Sequence, residues 1–249
     1  MQIITVTCSK RPEMWLSNVI PNIKNQRRRP DVSLLAVHPK GFTIDNSVRE
    51  TLLSLQNSLQ IEIGDSEWNH GQISNFAFTK AADKISTGIM VTMDDDDWYG
   101  PGYLEEVEST FLTHPDAVII GKRKYNVRRM DGKINHPDCI EGGPLEEPDG
   151  RVIWVGGPTI SINVESWRQL SSMRYPPVPV DADGLLQYNA HLAWAHRGKD
   201  GNLKTVSNYV HGELSPPFAP IYTTGTDEFY CQRYSREHRH GWHMVGEEL

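Results

Sequence analysis

Strand-like and helix-like segments alternate over about the first 110 residues, and this alternation constrains the fold more than any other feature of the chain. Apolar runs rich in β-branched residues at 3–7, 32–37, 61–63 and 88–93 predict four strands. The stretches between these runs carry apolar residues at helical spacing. Repeated strand and helix units imply a mostly parallel sheet with helices on both faces, so we predict an α/β fold.

Four helices are predicted to follow these strands. The first begins at Pro12, and Pro21 should bend or shorten it. Its predicted apolar side consists of Leu16, Ile20 and Ile23. The motif Ser47-Val-Arg-Glu50 has the spacing of a capping box ahead of the second helix. The third helix is predicted over 74–85 and the fourth over 103–111.

The second half of the chain is less regular. The predicted elements are strands at 117–120 and 152–155 and helices after the capping residue Asn163, over 184–197 and over 226–237. A Gly- and Pro-rich acidic stretch at 138–150 predicts a surface loop. Because no linker separates two parts of the chain, we predict a single domain over residues 1–249.

Composition excludes several classes of protein. The sequence contains no run of about 18 apolar residues, and its start lacks the basic segment and cleavage site of an export signal. Three widely spaced cysteines, without a Cys-x-x-Cys pair, indicate neither a zinc site nor a disulfide framework. A net charge of −7 argues against general nucleic-acid binding. We therefore expect a soluble, cytoplasmic protein without a transmembrane segment.

Four consecutive aspartates, Asp94–Asp97, follow the apolar run 88–93 directly and are followed by Trp98. Four adjacent carboxylates repel one another, and a divalent cation bound by oxygen ligands would compensate this cost. Asp94 and Asp96 lie two residues apart, so on an extended strand end they point to the same side. Such a pair can hold Mg²⁺ or Mn²⁺ and leave positions open for phosphate oxygens. A solvated acidic loop or a helix start is the alternative for an isolated run.

Three motifs together resemble family 2 glycosyltransferases. The motif Thr7-Cys-Ser-Lys-Arg-Pro12 is similar to the start of that family, and Gly71 to Asn75 with Ala77 and Ala81 resembles its glycine-rich helix entry. Met93-Asp-Asp-Asp-Asp-Trp-Tyr, followed by Tyr103-Leu-Glu, resembles its acidic motif and the helix after it. The resemblance implies a GT-A (Rossmann-like) fold with an irregular helical C-terminal part, a nucleotide-diphosphate sugar donor and a metal held by an Asp-x-Asp motif.

The resemblance also assigns residues to the donor side. Asp94 would face the ribose, and Asp96 would bind the metal together with Asp94 and a late histidine, His211. His211 is equally well explained as a structural histidine. The donor-binding candidates are Thr7, Ser9, Arg11, Asp65, Asn75, Asp94 and Asp95. The family usually has two aspartates after its second strand, where this chain has Val37-His38-Pro39-Lys40. Asp65 could replace them, although a turn residue is the alternative reading there.

A transfer with inversion also needs a carboxylate that accepts the proton of the acceptor. Asp183 is the preferred candidate, because the segment 181–198 and the later Tyr209-Val-His-Gly212 resemble family motifs in the family order. Asp181, Asp227 and Glu228 are the alternates, and all of these acids are also well suited to the first turn of a helix. Gly156, Gly157 and Trp98 are the acceptor-binding candidates, although a plain turn explains the two glycines and packing explains the tryptophan.

The sequence thus predicts a metal-dependent glycosyltransferase that moves a hexose-like unit from a nucleotide donor to an acceptor hydroxyl. Residues 1–115 would bind the nucleotide sugar, and residues 116–249 would bind the acceptor and supply the base. The acceptor is unidentified, and the basic segment 122–129 leaves an anionic acceptor open. The alternatives are a nucleotidyltransferase acting on a sugar phosphate and a non-catalytic module that binds a nucleotide sugar.

Overall fold

A computed structural model describes most of the first half of the chain and shorter parts of the second. The described residues are 1–39, 43–44, 46–55, 59–122, 124–128, 134–139, 152, 155–171, 173–177, 183, 186–187, 189–191, 221–223 and 230–233. Within these parts, none of the helices has the length and apolar character needed to cross a bilayer.

Strands and helices alternate as the sequence predicts. The strands are β1 (Ile3–Ser9), β2 (Val32–Val37), β3 (Leu59–Ile63), β4 (Ile89–Thr92), β5 (Trp98–Tyr99), β6 (Ile119–Gly121), β7 (Lys124–Arg128), β8 (Ile134–Cys139), β9 (Ser161–Asn163), β10 (Ile221–Thr223) and β11 (Tyr230–Arg233). The α-helices are α1 (Pro12–Met14), α2 (Ile20–Asn25), α3 (Asn46–Leu55), α4 (His70–Lys84), α5 (Tyr103–Thr113) and α6 (Val164–Gln169). A π-helical turn spans Trp15–Val19, and a 3₁₀ turn spans Gly157–Thr159.

The central sheet has seven strands in the order β10-β6-β9-β4-β1-β2-β3. Strands β4, β1, β2 and β3 are parallel, β10 is parallel to β6, and β9 lies antiparallel between β4 and β6. A smaller sheet has the order β5-β11-β7-β8. The prediction of a mostly parallel α/β sheet is therefore confirmed, with a single antiparallel strand inserted beside β4 among the described residues of the central sheet.

The middle strands are buried on both faces, which is why they are almost continuously apolar. Along β4, Met90 packs into the apolar cluster that contains Phe78 of α4. Its neighbours Ile89 and Val91 pack into the opposite cluster, with Val107 of α5. Because side chains alternate along a strand, this pattern also sets the face of the sheet to which the first side chain after β4 points.

The first helical segment differs from the regular helix that its apolar spacing predicts. Its middle is the π-helical turn, in which Ile20 N donates to Trp15 O, five residues back. The extra residue in this turn rotates the helix, so Trp15 and Val19 are buried. Leu16, which was predicted on the apolar side, is 51% exposed. Pro21 has no N–H to continue an α-helical ladder, and the irregular turn just before it agrees with the predicted bend.

Helix starts were predicted with mixed success. Asn163 caps α6 as expected, since its Oδ1 accepts from Glu165 N and Ser166 N. Helix α3 begins at Asn46, so Ser47 lies inside it and is not the N-cap. Helix α4 begins four residues earlier than predicted, because Asn69 and Gln72 form a capping box ahead of the apolar pattern.

Predictions for the last third of the chain lie largely outside the described residues. Of the strand predicted over 152–155 only the two ends are described, and both are buried. Asp183, Gln187 and Ala190 are helical, in agreement with the helix predicted around them. Tyr230–Arg233 forms a strand, so the helix predicted over 226–237 is wrong at these residues. Pairing with β5 and β7 overrides the local helical pattern there.

Candidate active site

The aspartate run lies where β4 ends, at the carboxyl edge of the central sheet. One carboxylate oxygen from each of Asp94, Asp96 and Asp97 lies within 4.8 Å of the others. The residue before the run is held from both sides, since Met93 N donates to Val6 O at 2.9 Å and Thr7 Oγ1 donates to Met93 O at 2.7 Å. The sheet therefore determines where the acids begin.

Two buried asparagines hold the backbone of the run. Asn18 Nδ2 donates to Asp95 O at 2.9 Å and to Asp97 O at 2.8 Å, and Asn22 Nδ2 donates to Asp97 O at 2.7 Å. Neutral amides thus satisfy carbonyls in a turn that already carries four acids. Asp97 does not cap α5, because the N-cap of α5 is Gly102 and no side chain caps it.

Arg11 pairs with two of the acids. Its Nη1 lies 2.6 Å from Asp96 Oδ2, and its Nε and Nη2 donate to the two oxygens of Asp95. Ser9 Oγ also donates to Asp95 Oδ2, and Trp15 Nε1 donates to Ser9 Oγ at 2.9 Å. Asp95 is therefore the centre of an internal polar network, and one guanidinium offsets part of the negative charge of the run.

Arg11 leaves part of the negative charge of the run uncompensated, and this charge affects the pKa of Asp94. Burial raises the pKa of Asp94 well above its usual range, and repulsion from Asp97, Asp96 and Asp183 raises it further. Burial also raises the pKa of Asp95, although Arg11 acts in the opposite direction. A bound divalent cation would favour the charged form of these groups, and three clustered carboxylates are the ligand type that Mg²⁺ and Mn²⁺ prefer. The residues therefore fit such an ion.

Asp183 lines the same cleft as Asp94. The cleft has an empty volume of about 310 Å³, including space open to solvent, and its wall also contains Cys8, Ser74 and Tyr175. Gly157 packs directly against Asp183, because a Cβ on this glycine would approach Asp183 Oδ2 and lie 2.8 Å from Asp183 Cγ. The carboxylate predicted as base and the first acid of the run thus meet in one cleft, although they are 89 positions apart in the numbering.

The turn that carries Gly157 is anchored to a buried ion pair. Gly156 N donates to Lys122 O at 2.7 Å, and Lys122 N donates to Thr159 Oγ1 at 2.8 Å. Lys122 Nζ lies 2.8 Å from Glu106 Oε1, and the lysine side chain is only 1% exposed. A buried pair of this kind is costly to break, so Glu106 of α5 and Lys122 hold the base of the turn.

The other predicted donor residues make contacts within the protein. The Thr7 hydroxyl donates to Met93 O, as described above. Asn75 bridges to a distant loop, since its Nδ2 donates to Tyr175 O at 2.6 Å and its Oδ1 accepts from Tyr175 N at 2.9 Å. Asp65 is exposed, and its Oδ1 accepts from Glu67 N at 2.9 Å, as in a turn. These contacts leave the predicted roles untested.

The predicted acceptor-side residues are only partly described. Trp98 is half-buried in β5, where it pairs with Cys231. The predicted metal ligand His211 lies outside the described residues, as do the alternate bases Asp181, Asp227 and Glu228.

Several residues of the cleft were missed by the sequence interpretation. Cys8 and His70 line it, and each lies within or directly beside a motif that had been singled out. Tyr99 is buried and is not part of the lining, but its contacts were also missed, because its hydroxyl bonds to a loop 59 residues further along.

The sheet order, the acid cluster at its carboxyl edge and the further carboxylate in the same cleft are those of a GT-A-type fold. The sequence model of the family described as "Glycosyl transferase family 2" matches residues 42–163. This match confirms the resemblance drawn from the motifs of the chain. No curated protein matches the chain.

Solved structures share the fold at low sequence identity. One is S. aureus TarS 1-349 in complex with UDP-GlcNAc, with a TM-score of 0.60 and 12% identity over 100% of this chain and 62% of that chain. Another is the mannosyltransferase PcManGT from Pyrobaculum calidifontis in complex with GDP-Man and Mn²⁺, with a TM-score of 0.59 and 14% identity over 95% of this chain and 58% of that chain. The chain thus spans about 60% of the length of each of these two solved structures. The same holds for S. aureus TarS 1-349 in complex with UDP.

Proposed function

We propose that this protein is a metal-dependent glycosyltransferase that moves a sugar from a nucleotide-diphosphate donor to an acceptor hydroxyl, with inversion. The observation that carries the proposal is the cleft itself, which is lined by both Asp94 of the acid cluster and Asp183. The complexes of the structural neighbours with UDP-GlcNAc and with GDP-Man and Mn²⁺ support the same class of donor.

On the donor side, Asp94 and Asp96 would hold Mn²⁺ or Mg²⁺, with Asp97 within reach and His211 as a further proposed ligand. The ion would supply positive charge to the diphosphate as the sugar leaves. Arg11 adds a fixed positive charge beside Asp95 and Asp96. The further residues proposed for the donor side are Thr7, Ser9, Asp65, Asn75 and Asp95.

On the acceptor side, Asp183 would act as the general base. The acceptor oxygen attacks the anomeric carbon of the donor, and the bond from that carbon to the diphosphate oxygen breaks with its electron pair. The proton of the acceptor hydroxyl passes to the Asp183 carboxylate. Gly156, Gly157 and Trp98 are proposed to border the acceptor. The division into a donor half, residues 1–115, and an acceptor half, residues 116–249, is part of this proposal.

The direct test uses UDP-GlcNAc and GDP-mannose, each with and without Mn²⁺. We expect slow release of UDP or GDP, with water as the acceptor, that requires Mn²⁺ and stops when EDTA is added. Release of pyrophosphate from a nucleoside triphosphate and a sugar phosphate would instead indicate a nucleotidyltransferase. Binding of a nucleotide sugar without any turnover would contradict an enzymatic role.

The close approach of Gly157 to Asp183 gives a second prediction. In Gly157→Ala the new Cβ would displace the Asp183 carboxylate, because the atoms it would meet belong to that side chain and not to backbone. We expect nucleotide release to fall about 10- to 100-fold, since small displacements of catalytic groups have effects of this size. The free energy of unfolding should fall by about 1–3 kcal/mol, because Asp183 Cβ would lie 2.9 Å from the new methyl and rotation of the side chain cannot move it. Steady-state kinetics and urea unfolding measure both. An unchanged rate would show that Asp183 need not lie against this glycine.

A further inference from the structure

The hydroxyl of Tyr99 joins the two sides of the cleft. It accepts a hydrogen bond from Asp94 N at 2.8 Å and donates one to Pro158 O at 2.7 Å. Asp94 belongs to the acid cluster, and Pro158 follows Gly157, the residue that packs against Asp183. One buried oxygen atom therefore connects the first acid of the donor side with the turn behind the proposed base.

The two partners of this hydroxyl determine where its proton lies. The carbonyl of Pro158 can only accept, so the phenol proton points to Pro158 O. The lone pairs of the oxygen face the Asp94 amide, which can only donate.

Other contacts hold each side of the cleft, and some of them also join the two sides. The acid run is held through Met93 by Val6 and Thr7, and the turn is held through Thr159 by Lys122. Thr92 N donates to Ile160 O at 3.0 Å and joins β4 to the start of β9. The pairing of β4 with β9 continues this connection away from the acids, and the Tyr103 hydroxyl donates to Thr159 O at 3.3 Å. The Tyr99 hydroxyl connects the two segments at Asp94 and Pro158, at the first acid of the run.

We propose that Tyr99 is a positioning residue whose hydroxyl sets the separation between the Asp94 side of the cleft and the Asp183 side. The proposal rests on the proposed function, because it assigns the two sides to donor and base. The aromatic ring has a distinct role in packing, since it stands edge-on to Tyr103 with ring centroids 5.0 Å apart. Tyr99→Phe therefore removes the link and keeps the packing.

In Tyr99→Phe, the rate of Mn²⁺-dependent release of UDP from UDP-GlcNAc, or of GDP from GDP-mannose, should fall about 10- to 100-fold. Affinity for Mn²⁺ and for UDP or GDP should stay within about threefold of the wild type, because the acid run keeps its other supports. Tyr222→Phe is the matched control. It removes a buried hydroxyl that donates to Asp116, outside the cleft, and its rate should be unchanged.

A double-mutant cycle with Asp183→Asn separates positioning from a general structural effect. If Tyr99 acts through Asp183, Tyr99→Phe should change the residual rate of Asp183→Asn by less than about twofold. If the rate reductions of the two single variants multiply in the double mutant, the proposal is wrong. It is also wrong if Tyr99→Phe alone leaves the rate unchanged. Loss of the folded state in Tyr99→Phe but not in Tyr222→Phe would also overturn it, since the hydroxyl would then be purely structural. A wild type that releases no nucleotide would refute the proposed function and this inference with it.

Discussion

Asp183→Asn is expected to lower the rate of metal-dependent nucleotide release by about 10²- to 10⁴-fold, which is the usual contribution of a general base. Asparagine has nearly the same shape, but it cannot accept the proton of the attacking hydroxyl. Affinity for the donor nucleotide should stay within about threefold, because the donor-side acids are unchanged. Single-turnover kinetics measure the chemical step, and calorimetric titration of UDP or GDP with Mn²⁺ measures the affinity.

The fold should survive this substitution. Gln187 Nε2 donates to the backbone oxygen of Asp183 at 3.3 Å, and Gln187 is held on its other side by Val155. Both contacts are independent of the Asp183 carboxylate. Asp227→Asn, Glu228→Gln and Asp181→Asn are the comparison variants, since these acids are the alternates for the same role. If Asp183→Asn retains its rate while Asp227→Asn or Glu228→Gln loses it, the assignment of the base is wrong.

Much of the fold follows from the sequence, because buried parallel strands carry a strong local pattern. The run from Ile3 and the run that leads to Met93 are apolar on both faces, and only a strand covered by helices on both sides accepts this. The antiparallel insertion of β9 could not be predicted in the same way. Ser161–Asn163 has three residues, and its place between β4 and β6 depends on partners 70 to 74 and 41 to 43 positions earlier in the numbering.

Part of the site also follows from the sequence. The acids follow an apolar strand, so their location at the edge of the sheet was predictable from pattern alone. The pairing of Arg11 with Asp95 and Asp96 was not, because it joins residues 84 and 85 positions apart through side chains of one particular geometry. The result changes the interpretation of Asp95. Its carboxylate lies in a network with Ser9 and Arg11, and Asp97 joins the metal-capable cluster.

Asp96→Ala is expected to abolish metal-linked donor binding and nucleotide release. Asp96 supplies one of three clustered carboxylates, and even loss of an outer-shell partner lowers metal affinity about 10- to 100-fold in characterised sites, so loss of a direct ligand should exceed about 100-fold. Mn²⁺ should raise the melting temperature of the wild type, because an ion that binds only the folded state stabilises it. It should leave the melting temperature of Asp96→Ala unchanged.

Without metal, the same substitution should have a small effect on stability, because two changes oppose each other. Removing Asp96 relieves its repulsion of Asp94, and it also removes one of the two carboxylates that pair with Arg11. Arg11 keeps its contacts with Asp95, so its charge is not left unpaired. Asp83→Ala is the matched control, since it removes one exposed acid from the end of α4 and should retain the response to Mn²⁺. Full Mn²⁺-dependent activity in Asp96→Ala would contradict the assignment of Asp96 as a metal ligand, because the ion would then bind without it.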